Sequence, residues 1–107
     1  MPKKTIMLAC TGGISTSLLV AKMQTAAEQQ GTNYYIFATA AATIDRELTA
    51  AQRPDVLLLG PQISFLAPKV KLLAAQLHIP MAIINMRDYG TMNGQKVLAL
   101  AETLLTS

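Results

Sequence analysis

The sequence predicts a three-layer α/β fold, in which one parallel sheet of four strands has helices on both faces. Two observations lead to this prediction. Four short apolar runs alternate along the chain with longer stretches whose apolar residues recur at helical spacing. The chain has 107 residues, about half of them hydrophobic, which is enough for one domain with one filled core. Because such alternation builds parallel sheets through right-handed crossovers, we expect residues 1–107 to form this single domain.

The first two strands are predicted in the first third of the chain. Residues 5–9 form a short apolar run, and residues 15–30 follow with apolar side chains at helical spacing, ended by Gly31. Residues 34–37 are aromatic and β-branched, which favours a second strand. The alanine-rich residues 38–42 are interpreted as a loop that joins this strand to the next helix.

The middle of the chain predicts a second helix and a fully buried strand. Ile44, Leu48 and Ala51 share one helical face, and the helix is expected to end before Pro54. Residues 56–59 are apolar throughout, which is typical of a strand buried on both faces of a parallel sheet.

The last third of the chain predicts two more helices around a fourth strand. Residues 70–77 have a helical pattern that stops before Pro80, and residues 81–84 are apolar enough for a strand. Residues 85–93 are interpreted as a loop, and residues 97–105 as the final helix.

Composition and charge exclude several classes of function. The net charge is only +3, and the basic residues are scattered with no basic run among aromatics, so a nucleic-acid partner is not expected. No apolar stretch approaches the roughly 20 residues of a membrane helix, so we do not expect a membrane-embedded protein. The single cysteine excludes an internal disulfide and suits a reducing compartment, which predicts a cytoplasmic protein. We find no metal-ligand cluster or cofactor motif and expect neither group.

The segment of residues 10–17 is the strongest candidate for a functional site. Ligands of open parallel sheets bind at the carboxyl ends of the strands, and this segment follows the first predicted strand. It reads Cys-Thr-Gly-Gly-Ile-Ser-Thr-Ser, so a thiol precedes two glycines, several hydroxyls and a helix start. Glycines allow successive N–H groups to form an anion nest, and the helix adds its positive end. We therefore assign Cys10 as the nucleophile and the rest of the segment to phosphate binding: Thr11, Gly12, Gly13, Ile14, Ser15, Thr16 and Ser17.

A histidine base is not needed for this chemistry. A helix N-terminus that holds phosphate also favours a thiolate over a thiol. His78, the only histidine, is predicted at the end of the third helix, at the opposite edge of the sheet from Cys10. A catalytic Cys–His pair is therefore not expected.

Three kinds of function remain open from the residues alone. Thiol redox work is disfavoured because a second cysteine is absent. A cysteine phosphatase usually closes its phosphate loop with an arginine six residues after the cysteine, where this chain has Thr16. Asp88, however, is available as the acid that a phosphatase needs. A phosphocysteine that is handed on to another acceptor fits better than hydrolysis, and a non-catalytic anion-binding or partner-binding module is the third alternative.

A second group of side chains is assigned auxiliary or docking roles. Gln62 after the third strand, and Asp88 and Tyr89 after the fourth, are auxiliary candidates for orienting the phosphate or bordering the site. The alternatives are a polar residue at a helix start for Gln62 and a surface aromatic for Tyr89. An apolar surface for docking partner proteins, with core packing as its alternative, is assigned to Ile14, Ile63, Phe65 and Leu66.

Several segments resemble the enzyme IIB component of the sugar phosphotransferase system, in its lactose/cellobiose/diacetylchitobiose class. The resemblance covers essentially the whole chain. The residues that show it are the N-terminal strand, residues 10–19, residues 55–63, the pair Tyr89-Gly90 and the pair Asn93-Gly94. Thr11 and Gly13 depart from the residues expected at their positions, a change that alters the loop modestly and leaves its chemistry intact.

The resemblance implies both a fold and an activity. The implied sheet has the strand order 2-1-3-4, similar to that of low-molecular-weight tyrosine phosphatase. Cys10 would accept phosphate from the phosphohistidine of a IIA protein, and residues 11–16 would hold that phosphate with their amides. The phosphate would then pass to a sugar, a β-linked disaccharide such as cellobiose, chitobiose or lactose, bound by the membrane permease IIC.

Overall fold

The computed structural model describes residues 3–11, 14–51 and 53–106, and within them strands and helices alternate. Short 3₁₀ segments at Ala41–Thr43 and Pro61–Leu66 lead into the second and third helices. The strands and helices, in chain order, are β1 Lys4–Cys10, α1 Ile14–Gln29, β2 Tyr34–Ala40, α2 Ile44–Leu48, β3 Val56–Leu59, α3 Ala67–Gln76, β4 Met81–Ile83, α4 Met86–Gly90 and α5 Gly94–Leu105.

The four strands form one parallel sheet in the order β2-β1-β3-β4, as expected. Ile6 of β1 lies opposite Ile36 of β2 on one side and Val56 of β3 on the other. The two central strands are buried on both faces, which explains why β3 consists of apolar residues alone. Because all strands run the same way, their carboxyl ends meet at one edge of the sheet.

The sheet separates two apolar cores, because alternate residues of a strand point to opposite faces. On one face Ile6 and Leu8 pack with residues of α1 and α5, including Met23 and Val97. On the other face Met7, Ala9, Leu57 and Leu59 pack with residues of α2 and α3: Ile44, Leu48, Val70 and Ala74. The molecule therefore has the three layers that the alternating pattern predicts.

The alanine-rich segment after the second strand differs from its predicted loop. β2 continues to Ala40, and only residues 41–43 form the 3₁₀ segment. The last residues of β2 pair in register with the end of β1, Ala38 with Leu8 and Ala40 with Cys10. Pairing with a neighbouring strand thus outweighs the weak strand preference of alanine, and the loop prediction is wrong for residues 38–40.

Two further segments differ from their predicted form. α2 ends at Leu48, three residues before Ala51, and the Thr49 hydroxyl bonds the Asp45 carbonyl oxygen at 2.8 Å where the helix stops. The predicted loop of residues 85–93 contains the short helix α4. Within the described residues, none of the helices has the length and apolar character that a membrane crossing requires.

Candidate functional site

Cys10 is the last residue of β1 and lies at the carboxyl edge of the sheet, with 2% of its surface exposed. Its neighbours at that edge are Ala40 of β2 and Gly60, which directly follows β3. The Gly60 N–H donates to the Ala9 carbonyl oxygen at 2.8 Å, so the strand ladder continues up to this point. A Cβ atom on Gly60 would lie 3.3 Å from Cys10 Cβ, which explains why a glycine closes this side of the thiol.

Thr16 contacts the thiol from the first turn of α1. Its hydroxyl and Cys10 Sγ form a hydrogen bond in which either atom can donate. The side chain is 1% exposed, and it is the only fully buried polar side chain in the described part of the chain. Since a buried hydroxyl is costly without partners, this bond accounts for a polar residue at a position closed to solvent.

Tyr89 reaches the same site from α4. Its hydroxyl oxygen lies 3.1 Å from Thr16 Oγ1, within hydrogen-bond distance, and its ring is half-buried. The sequence assigned Tyr89 an auxiliary role beside the loop, and the structure brings it onto Thr16. Thr16 therefore links Cys10 to Tyr89 in a chain of three polar groups.

Asp88 lies next to Tyr89 in the chain but points its carboxylate elsewhere. The Asp88 N–H donates to Asn85 Oδ1 at 2.8 Å, and Asn85 Nδ2 donates to Asp88 Oδ2 at 2.9 Å. The first bond caps the helix and the second joins the two side chains, so together they fix the first turn of α4. The structure thus gives the carboxylate of Asp88 a partner at the start of α4, which supports Tyr89 indirectly.

The other predicted site residues lie around this centre. Gln62 is exposed on the 3₁₀ segment after β3, and its Oε1 is 3.3 Å from the position of a Cβ on Gly60. Thr11 is exposed after β1, and Ser17 is exposed on α1. Four further assigned residues lie wholly or partly outside what the structure describes: the whole of Gly12 and Gly13, and the side chains of Ile14 and Ser15, whose backbone begins α1.

The predicted docking surface is only partly formed by the expected residues. Ile63 is 2% exposed and belongs to the core, so its assignment to the surface is wrong, and Leu66 is half-buried against the same core. Phe65 is 74% exposed on the 3₁₀ segment that follows β3. Met86, at the start of α4, is also largely exposed at this edge of the sheet, and the sequence analysis missed it.

His78 lies far from the thiol, as expected. It follows α3 and precedes β4, so it is at the amino ends of the strands. Its backbone is left-handed, with a φ of 58°, as is common one or two residues after a helix. Within residues 3–11, 14–51 and 53–106 there is no group of three His, Cys, Asp or Glu side chains that would hold a metal ion.

Comparison with known proteins assigns the chain to a family. Residues 5–100 match the family model described as PTS system, lactose/cellobiose-specific IIB subunit. The galactose-specific EIIB component of Lactococcus lactis subsp. cremoris (strain MG1363) is 52% identical over 107 residues, which cover 98% of this chain and 99% of that protein. The cellobiose-specific EIIB component of L. lactis subsp. lactis (strain IL1403) has the same identity and coverage. The oligo-beta-mannoside-specific EIIB component of Bacillus subtilis (strain 168) is 36% identical over 104 residues, which cover 97% and 98%.

Solved structures agree with this assignment. The solution structure of a cellobiose-specific phosphotransferase IIB component from Borrelia burgdorferi has a TM-score of 0.79 and 37% identity, and covers 98% of this chain and 94% of that one. A lactose-specific IIB component domain from Streptococcus pneumoniae has a TM-score of 0.78, with coverage of 95% and 97%. At 17% identity, that match supports the fold alone. The family model and the relatives thus lead to one conclusion: this chain belongs to the lactose/cellobiose-specific IIB subunits of the sugar phosphotransferase system.

Proposed function

We propose that this chain is a phosphoryl carrier that takes phosphate onto Cys10 from the phosphohistidine of a IIA protein. It then gives the phosphate to a sugar held by the membrane permease IIC. The observation that supports this most is the position of the thiol. Cys10 ends β1 at the carboxyl edge of the sheet and bonds Thr16, in the first turn of α1. The thiol therefore lies beside a helix N-terminus, where unpaired N–H groups and the helix dipole favour anions.

The first step forms a phosphocysteine. The Cys10 thiolate attacks the phosphorus of the phosphohistidine, the Sγ–P bond forms, and the P–N bond breaks with its electron pair returning to the imidazole. Charge that develops on the phosphoryl oxygens is stabilised by the N-terminus of α1 and by the hydroxyls of the segment. Positioning and electrostatics supply most of the assistance, as is general for phosphoryl transfer.

The second step returns the enzyme to its starting state. A sugar hydroxyl attacks the phosphorus in line with the Sγ–P bond and loses its proton to water or a base of the permease. The Sγ–P bond then breaks, and its electron pair remains on sulfur as the thiolate. Because the Cys10 thiolate is regenerated, the same side chain can carry phosphate in repeated cycles.

Two observations favour transfer over hydrolysis. The place of the loop-closing arginine of cysteine phosphatases is taken by Thr16, whose hydroxyl bonds the thiol. The carboxylate of Asp88, the candidate acid for activating water, accepts a hydrogen bond from the Asn85 side chain at the start of α4. Neither of these two described positions therefore offers a group that would speed loss of the phosphate to water.

The sugar is proposed to be a β-linked disaccharide such as cellobiose, chitobiose or lactose. Relatives named for galactose and for cellobiose are both 52% identical to this chain. The same similarity to components with different named sugars indicates that a IIB subunit does not read the sugar. We infer that the permease selects it and that this chain meets the permease at the cytoplasmic face of the membrane.

Docking of the partner proteins is proposed at the carboxyl edge of the sheet. Phe65 and Met86 are 74% and 65% exposed there, on the segments that follow β3 and β4. Large apolar side chains at this exposure are typical of interaction surfaces when they lie beside a functional site. We assign this pair to the contact with the IIA protein.

A chase experiment separates a carrier from a phosphatase. The protein is phosphorylated by a phosphoenolpyruvate-driven relay, isolated, and mixed either with buffer or with sugar and membranes containing a IIC permease. We expect sugar phosphate to form only with the membranes, and p-nitrophenyl phosphate to stay intact with the protein alone. The protein would instead be a phosphatase if inorganic phosphate is released at equal rates in both mixtures and p-nitrophenyl phosphate is hydrolysed.

A further inference from the structure

Tyr89 and Thr16 connect a buried thiol to the surface of the molecule. Cys10 is 2% exposed and Thr16 is 1% exposed, whereas Tyr89 is half-buried. Thr16 Oγ1 bonds Cys10 Sγ on one side, and lies 3.1 Å from the Tyr89 hydroxyl on the other. The tyrosine is thus the outermost of the three hydrogen-bonded groups.

Loss of the Cys10 proton fixes the direction of these bonds. A hydroxyl has one proton to donate and lone pairs to accept with, so Thr16 can donate to only one of its two neighbours. A thiolate has no proton, so its bond with Thr16 exists only if Thr16 donates to sulfur. The Thr16 oxygen can then bond Tyr89 only as an acceptor, which makes Tyr89 the donor.

The neutral thiol also allows the opposite direction, because it can donate its proton. In that arrangement Cys10 donates to Thr16 and Thr16 donates to Tyr89, whose own proton points away from Thr16. Ionisation passes one proton along each bond: sulfur gives its proton to Thr16, Thr16 gives its own to Tyr89, and Tyr89 releases one to water. The sum is one proton transferred to water and one thiolate that accepts a hydrogen bond from Thr16.

The position of Tyr89 is set by the start of α4. The two bonds between Asn85 and Asp88 fix the first turn of this five-residue helix, and Tyr89 directly follows Asp88. Asp88 therefore contributes to the site by orienting α4.

We propose that Tyr89 is a positioning residue that acts through Thr16 to stabilise the thiolate form of Cys10. That this thiolate attacks a phosphohistidine rests on the proposed function. The geometry behind the role of Tyr89 does not, because the bonds of Thr16 to Cys10 and to Tyr89 are present whatever the thiol is used for. Removing the Tyr89 hydroxyl removes the hydrogen bond donated to the Thr16 oxygen, and with it the polarisation that strengthens the bond from Thr16 to sulfur.

The test is a double-mutant cycle on the nucleophilicity of the thiol. The variants are Tyr89→Phe, Thr16→Val, the double variant, and Thr16→Ser as the conservative rescue. The first readout is the alkylation rate of the folded protein by iodoacetamide at pH 7, and the second is the rate of phosphorylation by phospho-IIA. We expect Tyr89→Phe and Thr16→Val each to slow alkylation about three- to tenfold, as fits the loss of one hydrogen bond. The double variant should be no slower than Thr16→Val, and Thr16→Ser should retain most of the rate.

Tyr34→Phe is the matched control. It also removes a hydrogen-bonded tyrosine hydroxyl, from the amino end of β2, far from Cys10. Additive effects in the cycle, or equal rates for Tyr89→Phe and Tyr34→Phe, would overturn the proposal. If Thr16→Val does not fold, the alkylation rates of Tyr89→Phe and Tyr34→Phe still test the role of Tyr89. If the wild type takes up no phosphate but the alkylation cycle behaves as expected, the proposed function fails and the role of Tyr89 stands.

Discussion

At the scale of single residues, the surroundings of Cys10 divide into a closed side and an open side. Gly60 and Thr16 close the thiol against β3 and α1. The exposed residues Phe65 and Gln62 lie on the 3₁₀ segment beside Gly60, where a partner protein can approach. This division explains how a buried sulfur can sit next to an accessible apolar surface.

The exposed ring of Phe65 should matter for partner binding and little for stability. We predict that Phe65→Ala raises the KM for phospho-IIA about fivefold or more, as expected when an exposed interface anchor is lost, with the maximal rate kept within about twofold. Unfolding in urea should change by less than about 0.5 kcal/mol, since the ring is 74% exposed. The measurement is steady-state phosphorylation of this chain at varied phospho-IIA concentration.

Leu72→Ala is the matched control for this prediction. Leu72 is 70% exposed on α3, so the substitution also removes a large exposed apolar side chain. An equal rise in KM for both variants would refute a specific docking role for Phe65.

At the scale of elements, the junction of α1 and α5 has the closest backbone approach found at a described glycine. A Cβ atom on Gly94, the first residue of α5, would lie 2.5 Å from the Lys22 carbonyl carbon and 2.6 Å from its oxygen. The clash is with backbone, so α5 would have to shift away from α1. Both helices cover the same face of the sheet, and the shift would loosen that core.

We therefore predict that Gly94→Ala lowers the free energy of unfolding by about 2–3 kcal/mol, as for other overpacked sites. Gly90→Ala is the control, because Gly90 ends α4 and has no atom within 4 Å of an added Cβ. We expect that control to change stability by less than about 1 kcal/mol, in the stabilising direction. Urea denaturation of the two variants measures both values, and equal effects would contradict the packing argument.

The elements also show what the sequence predicts and what it cannot. The buried strand Val56–Leu59 is predicted with its observed bounds, because an apolar run between turn signals is a local pattern. The end of β2 at Ala40 depends on pairing with β1, and local preference does not contain that information. α4 is too short for periodicity, although Asn85 followed three residues later by Asp88 is the capping signal that would have located it.

The same limit applies to the site. The sequence predicts Cys10 and its segment as the site because thiol, glycines, hydroxyls and a helix start are contiguous. The bond between Thr16 and Tyr89 joins residues 73 positions apart, so only the folded chain brings them together. The loop after the fourth strand predicts that Tyr89 borders the site, but no local pattern identifies Thr16 as its partner.

At the scale of the whole molecule, a polar cluster ties the edge strand β2 to the last helix. The Tyr34 hydroxyl donates to Glu102 Oε2 at 2.7 Å, and Gln30 Nε2 donates to the same oxygen at 2.8 Å. These bonds link the amino end of the sheet to the end of α5. Partial burial of the phenol, together with the hydrogen bond to Glu102 and its negative charge, raises the pKa of Tyr34 from 10.0 to about 12.

This pKa predicts a loss of stability at high pH. The folded chain holds the phenol proton more tightly than the unfolded chain, so the contribution is complete below about pH 10 and disappears as the pH approaches about 12. After allowance for partial exposure, we expect the free energy of unfolding of wild type to exceed that of Tyr34→Phe by about 1 kcal/mol at pH 9. This difference should disappear toward about pH 12. Urea denaturation across this pH range measures the difference, and Tyr35→Phe is the control because Tyr35 is exposed. A difference between wild type and Tyr34→Phe that stays constant with pH would contradict the raised pKa of Tyr34.

The central claim is that Cys10 is the residue that holds the phosphate. The most direct test is the intact mass of the protein after incubation with a phosphoenolpyruvate-driven relay, for wild type and Cys10→Ser. We predict one added phosphate on wild type only, a gain of about 80 Da, the mass of HPO₃. If the relay phosphorylates its own IIA protein while wild type gains no mass, or if Cys10→Ser gains as much as wild type, the claim is wrong.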